Sequence, residues 1–167
     1  MDSRQQDEQE EQAAVSSDHL LKFMSFRHCG MDIAVPLENV LEVMPTSNTT
    51  PIPNAKSYMR GIMNLRGRIV TVIDLNPKLG IRDKMRIDSE NVIVMMHAED
   101  VTMGVVVEEI TNVVSAYESQ IYSIDEFDAD VRANHVNEII RIDDGMILIL
   151  DLESFFELRK VRTRRSA

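Results

Sequence analysis

The feature that most constrains this 167-residue chain is a series of short apolar runs rich in β-branched residues. They are "LLKFMSF" (20–26), "MDIAV" (31–35), "RIVTVI" (68–73), "NVIVMM" (91–96), "VTMGVVV" (101–107), "ITNVVSA" (110–116), "EIIRI" (138–142) and "MILILD" (146–151). Gly, Asp and Asn separate them, so each reads as a strand, and so many short strands specify a small barrel or sandwich. Several runs are apolar at consecutive positions instead of alternating. Such strands are buried on both faces, as where two sheets or barrels meet.

Two helices are expected among them. In "PLENVLEVMP" (36–45), Leu37, Val40, Leu41 and Met44 recur at helical spacing, with Pro36 at the first position and Pro45 as the stop. In "DLESFFEL" (151–158), Leu152, Phe155 and Phe156 share one face and Asp151 suits the N-cap. An internal echo runs through "VIDLNPKL" (72–79) and "ILDLESFF" (149–156): apolar strand, Asp, Leu, short helical turn. Aspartate caps wherever a strand enters a helix, which is the first account of the echo; if it is a true repeat, it means two similar β halves, each closed by a strand-to-helix turn. Asp74 is expected to cap the first of these turns as Asp151 caps the second.

Charge excludes some functions. The net charge is −10 and the pI about 4.8, so a phosphate backbone is repelled, and aromatic residues, at 5 %, are too few for base stacking. The distribution is uneven: residues 1–18 hold one cation against six acids, whereas 159–167 hold five cations and no acid. The expected organisation is therefore an acidic mobile arm (1–19), a folded domain (20–158) and a basic mobile tail (159–167). There is no apolar run of membrane-spanning length and no signal-peptide pattern. A single cysteine, Cys29, gives no internal disulfide framework and fits a reducing cytoplasm.

Chemistry-bearing patterns are sparse. His19, His28, His97 and His135 share no metal-ligand spacing, and His28 with Cys29 reads as a loop pair whose side chains do not converge on one site. The acidic stretch 125–130, with Asp125 and Asp128, lacks the glycine and distant glutamate of a calcium loop. The six glycines form no phosphate-cradling motif, and no nucleophile elbow is present. No cofactor or metal is implied, and a chain of this kind is a binding module before it is an enzyme. A small-molecule- or metal-binding barrel, with the Met-rich runs (Met63, Met95, Met96, Met103) as pocket, is the competing class. Core filling is the first reading of those methionines.

The densest stretch is "GIMNLRGRIVTVIDL" (61–75). "NLRG" places Asn64 and Gly67 as a type I turn would, or as a three-residue hairpin loop with Gly67 left-handed. "DDG" (143–145) marks a second hairpin. Turn chemistry accounts for Asn64 and Gly67 but leaves Arg66 at the bend with no local need.

These residues carry a family resemblance. "VPLENVLEV", "GIMNLRGRIVTVIDL", "VTMGVVVEEITNVV" and "DDGMILILDLESFF", in this order, resemble the CheW-like domain of bacterial chemotaxis coupling proteins from about Lys22 to Leu158. The resemblance implies two five-stranded SH3-like β-barrels sharing an apolar core, with short helices at the seams, and no enzymatic activity. It implies a cytoplasmic adaptor between chemoreceptor tips and the chemotaxis histidine kinase, whose regulatory domain has the same fold, recruited to receptor arrays at the membrane. An adaptor of a pilus-motility or other non-flagellar pathway is the variant within the family. The length suits the stand-alone coupling form. Receptor-coupling positions fall on Val40, Glu42, Gly61, Arg66 and Val113, and kinase-docking residues are not assigned. Thr71, Glu138 and Met31-Asp32 depart from the family's common proline, glycine and aromatic positions.

Overall fold

The computed structural model describes residues 18–46, 49–82, 91–126 and 133–158. The expected arm up to residue 17, the tail from 159, and Asp128 and Asp130 of the acidic stretch lie outside them. The chain enters with β1 (Leu20–His28) and β2 (Met31–Pro36), an antiparallel hairpin. β3 (Val40–Pro45), β4 (Met59–Leu65), β5 (Arg68–Asp74), the short helix α1 (Leu75–Leu79), β6 (Val92–Ala98) and β7 (Val101–Val107) follow. Then come β8 (Glu109–Tyr117), β9 (Ile121–Ser123), β10 (Val136–Ile142), β11 (Gly145–Leu150) and α2 (Leu152–Phe155).

The strands form two sheets. One has six strands in the order β8-β1-β2-β11-β10-β9, the other five in the order β3-β6-β7-β5-β4. The expectation of five in each half meets a sixth in the three-residue β9, which pairs with β10. The five-stranded sheet is one continuous stretch of chain inserted between β2 and β8 of the other. Each sheet contains one parallel pair, β2 with β11 and β5 with β7.

Three apolar clusters explain the consecutive apolar runs. Phe26, Ile33, Ile73, Val94, Val105, Leu148 and Phe155 belong to a core shared by both sheets and both helices. Phe23, Ala34, Ile140 and Ile149 form a second cluster within the six-stranded sheet, and Met63, Val70, Val72, Met95 and Val106 a third within the five-stranded one. Thus Val105 and Val107 face the shared core while Val106 faces the opposite side. A one-residue register slip would exchange the two sets, so both burial patterns fix the pairing. Met63, Met95 and Met96 are core residues, as their β runs suggested.

The expected helix at 36–45 is absent. Leu37–Asn39 make one 3₁₀ turn, and Val40–Pro45 then extend as β3 against β6. The apolar spacing fits both periods, and here a ladder to β6 outweighs a short isolated helix. Pro45, read as a helix stop, closes an edge strand, where its missing N–H is tolerated. At the other end α2 forms as expected, with the Ser154 N–H donating to Asp151 Oδ1 at 3.3 Å.

Candidate functional site

Arg66 owes its position to a tight turn of unexpected type. Leu65 and Arg68 are paired, leaving Arg66 (φ +50°) and Gly67 (φ +83°) as a two-residue hairpin loop. Both are left-handed, the I′ arrangement that matches strand twist, not the type I turn or three-residue loop expected. Asn64 Oδ1 accepts the Gly67 N–H at 2.9 Å. A left-handed conformation costs a non-glycine residue roughly 1–2 kcal/mol.

The arginine held there is 81 % exposed, and its Nη2 lies 3.1 Å from Glu42 Oε2 on β3. β3 is the edge strand furthest from the β4–β5 hairpin in the sheet order, so the five-stranded sheet curls until this corner closes on itself. An exposed pair of this kind contributes roughly 0.2–1 kcal/mol. Beside it, Leu41, Arg68 and Thr102 help to line a recess of about 310 Å³. Leu41 of that recess is itself exposed, and Val43 on β3 and Ile69 on β5, at 68 %, are exposed apolar residues of the same sheet. Those three escaped the sequence reading, because in a run taken as helix or as buried strand nothing marks which residue faces out.

The other expected positions separate into different roles. Val40 begins β3 and packs against the shared core. Gly61 is buried at a bulge in β4; a Cβ there would lie 2.2 Å from the Thr50 carbonyl oxygen, which accepts the Ile62 N–H at 2.9 Å. Its bareness admits the 49–50 segment alongside β4. Val113, 58 % exposed on the edge strand β8, belongs to the six-stranded sheet. The structure therefore brings Glu42 and Arg66 together, adds Val40 and Gly61 as supports of the same sheet, and leaves Val113 on the other.

Two further corrections concern polar residues. Asp74 makes no cap to α1; its Oδ1 lies 3.4 Å from Arg60 Nη1. His28 and Cys29, read as non-converging, both reach Asn76 on α1, because Cys29 is left-handed (φ +48°) and turns its Sγ back. Asp125 and Glu126 lie in a single 3₁₀ turn. No helix among the described residues is long and apolar enough to cross a membrane.

Comparison with known proteins decides the family: the profile of the CheW-like domain matches residues 22–160. The chain belongs to the CheW-like family. The chemotaxis protein CheW of Thermotoga maritima is 28 % identical over 135 residues, spanning 80 % of this chain and 86 % of the relative. A probable chemotaxis protein CheW from Rhizobium etli is 25 % identical over 135 residues, spanning 81 % and 86 %. Protein FrzA of Myxococcus xanthus is 39 % identical over 54 residues, about a third of each chain (32 % and 34 %). Among solved structures, the scaffolding protein TtCheW from Thermoanaerobacter tengcongensis superposes with a TM-score of 0.74 at 27 % identity, covering 83 % of this chain and 94 % of that one. The two-sheet architecture is thus that of a CheW scaffold, and the family's role is that of a chemotaxis coupling adaptor.

Proposed function

We propose that this chain is a non-enzymatic adaptor that joins chemoreceptor cytoplasmic tips to the chemotaxis histidine kinase through the kinase's own CheW-like regulatory domain. The observation that carries the receptor half of this reading is the Arg66–Glu42 corner. A cation is held in a costly left-handed turn and steadied by a carboxylate on the opposite edge of its sheet. Leu41, Leu65 and Val70 line the recess beside it, giving apolar surface next to a fixed charge pair, which suits a helical partner bearing both apolar and polar side chains. Val40 and Gly61 act as supports, shaping β3 and the 49–50 segment, while Arg66 and Glu42 supply contact. Val113 extends the contact onto the six-stranded sheet.

The test is reconstitution with purified receptor cytoplasmic fragments and the kinase. The wild-type chain should bind the regulatory domain at micromolar concentration and confer receptor control on kinase autophosphorylation. Arg66→Glu should weaken that control while circular dichroism and Tm stay near wild type. Failure of the regulatory domain to bind would sink the adaptor reading. Normal receptor control by Arg66→Glu would remove the corner from it. The stretch shared with FrzA shows that relatives are not all named for chemotaxis, so an adaptor of a non-flagellar pathway is the second reading. Binding the same preparation to receptors and kinases of each pathway separates the two.

A further inference from the structure

We propose that the contact between His28 and Asn76 is an acid-sensitive latch holding the two sheets in one relative arrangement. His28 ends β1 in the six-stranded sheet and is completely buried. Asn76 lies on α1, which leaves the last strand residue of β5 in the five-stranded sheet, and is itself buried. The ring Nε2 meets the Asn76 amide oxygen, so in the neutral ring Nε2 carries the proton and donates it. The Asn76 Nδ2 in turn donates to Cys29 Sγ at 3.1 Å, and the Cys29 N–H donates to Glu108 Oε1 at 3.1 Å, between β7 and β8. One turn of the six-stranded sheet is thereby pinned to α1 of the other half and to the junction where the chain returns from it.

The other ring nitrogen makes the pin conditional. Nδ1 is buried and has no hydrogen-bonding partner among the described residues. A proton added there would create a cation and a donor with nothing to receive it. Burial disfavours this charge and pushes the His28 pKa below its usual value. The Asn76 bond and the carboxylates of Glu108 and Asp74 pull the other way, less strongly. α1 offers the ring a neutral amide, and the Cys29 thiol bonds that same amide. Because the folded-state pKa lies below the unfolded one, the latch is complete above about 6.5 and is lost progressively as pH falls towards the lower folded value. Its release frees the hairpin of β1 and β2 from α1. A partner spanning Arg66 on one sheet and Val113 on the other would register that movement.

Amide hydrogen exchange on the full chain between about pH 7.5 and 5 tests this, a window in which ordinary carboxylates remain ionised. The Cys29 amide and the Ile81 amide, which donates to the Asn76 carbonyl at 2.9 Å, are the reporters. Corrected for intrinsic rates, their protection should fall with acid by at most about tenfold per pH unit, the limit for one proton. Val94, in the middle of β6, should hold its protection. His28→Gln, which keeps a donor but cannot titrate, should give a flat profile. The proposal is overturned if the reporters stay flat in the wild type, if Val94 loses protection equally, or if His28→Gln responds like the wild type. Should His28→Gln not fold, the wild-type ring resonances decide: protonation at or above about 6.5 overturns the latch.

Discussion

The hairpin of β4 and β5 and the hairpin of β10 and β11 are the same device built twice. Each first strand has a register break near its start, at Met59/Gly61 and at Val136/Glu138. In each, the residue in the break reaches the aspartate at the strand-to-helix junction: Arg60 to Asp74 at 3.4 Å, Asn137 to Asp151 at 2.9 Å. Each second strand makes its sheet's parallel pair before entering a short helix. The differences lie in the use. Asp151 also caps its helix and Asp74 does not. The tips carry opposite charge, Arg66 at one and Asp143 with Asp144 at the other. After the break stands a buried glycine in the first and an exposed glutamate in the second. A repeated backbone solution therefore leaves its side chains free to diverge.

Substitution at the break should separate the halves most. Gly61→Val drives a side chain into the Thr50 carbonyl and should cost about 2–3 kcal/mol in urea denaturation. The reciprocal Glu138→Gly should cost only about 0.5–1 kcal/mol, the backbone penalty of glycine in a strand. Equal losses would mean that the 49–50 segment does not depend on Gly61. The junction aspartates should come next. Asp151→Ala removes a cap and the Asn137 bond and should lower stability by about 1–2 kcal/mol. Asp74→Ala removes one ion pair and should lower it by less than about 1 kcal/mol. The smallest change in stability is expected at the tip. Arg66→Gly relieves the left-handed strain and loses the Glu42 pair, so ΔG should move by no more than about 1 kcal/mol in either direction. Receptor-dependent kinase control should nevertheless drop. An Arg66→Gly chain that is unchanged in both would identify the arginine as turn filling.

The repeated "IDL" and "LDL" stretches showed the two strand-to-helix junctions, because strand ends and helix starts are dictated by local chemistry, but not the register breaks or the Arg60 and Asn137 contacts that complete the pairing. The two-faced strands were legible for a related reason. Val105, Val106 and Val107 cannot all be tolerated on an ordinary half-solvated strand. Residues 36–45 were misread because Val40 and Met44 satisfy a period of four as well as of two, and only β6 decides between them. The turn type at Arg66 was hidden by the arginine itself, a residue with no preference for the left-handed region. His28 and Asn76 are 48 positions apart, and no local signal links a histidine at a strand end to an amide beyond another strand. Arg66 with Glu42 has the same character: each position came from family likeness, while their pairing needed the curl of the sheet.

The order in which the two sheets take their strands has a consequence for synthesis. The five-stranded sheet uses one uninterrupted stretch, so all its partners have left the ribosome once β7 is made. β2 must wait for β11, where Ile33 meets Leu148, more than a hundred positions later. Until then Phe26, Ile33 and Val35, destined for the shared core, lack the partners that β10, β11 and α2 supply. Closing so long a loop slows the final step and leaves apolar strand edges uncovered meanwhile. A chain truncated before β10 should therefore assemble its middle and aggregate through its ends.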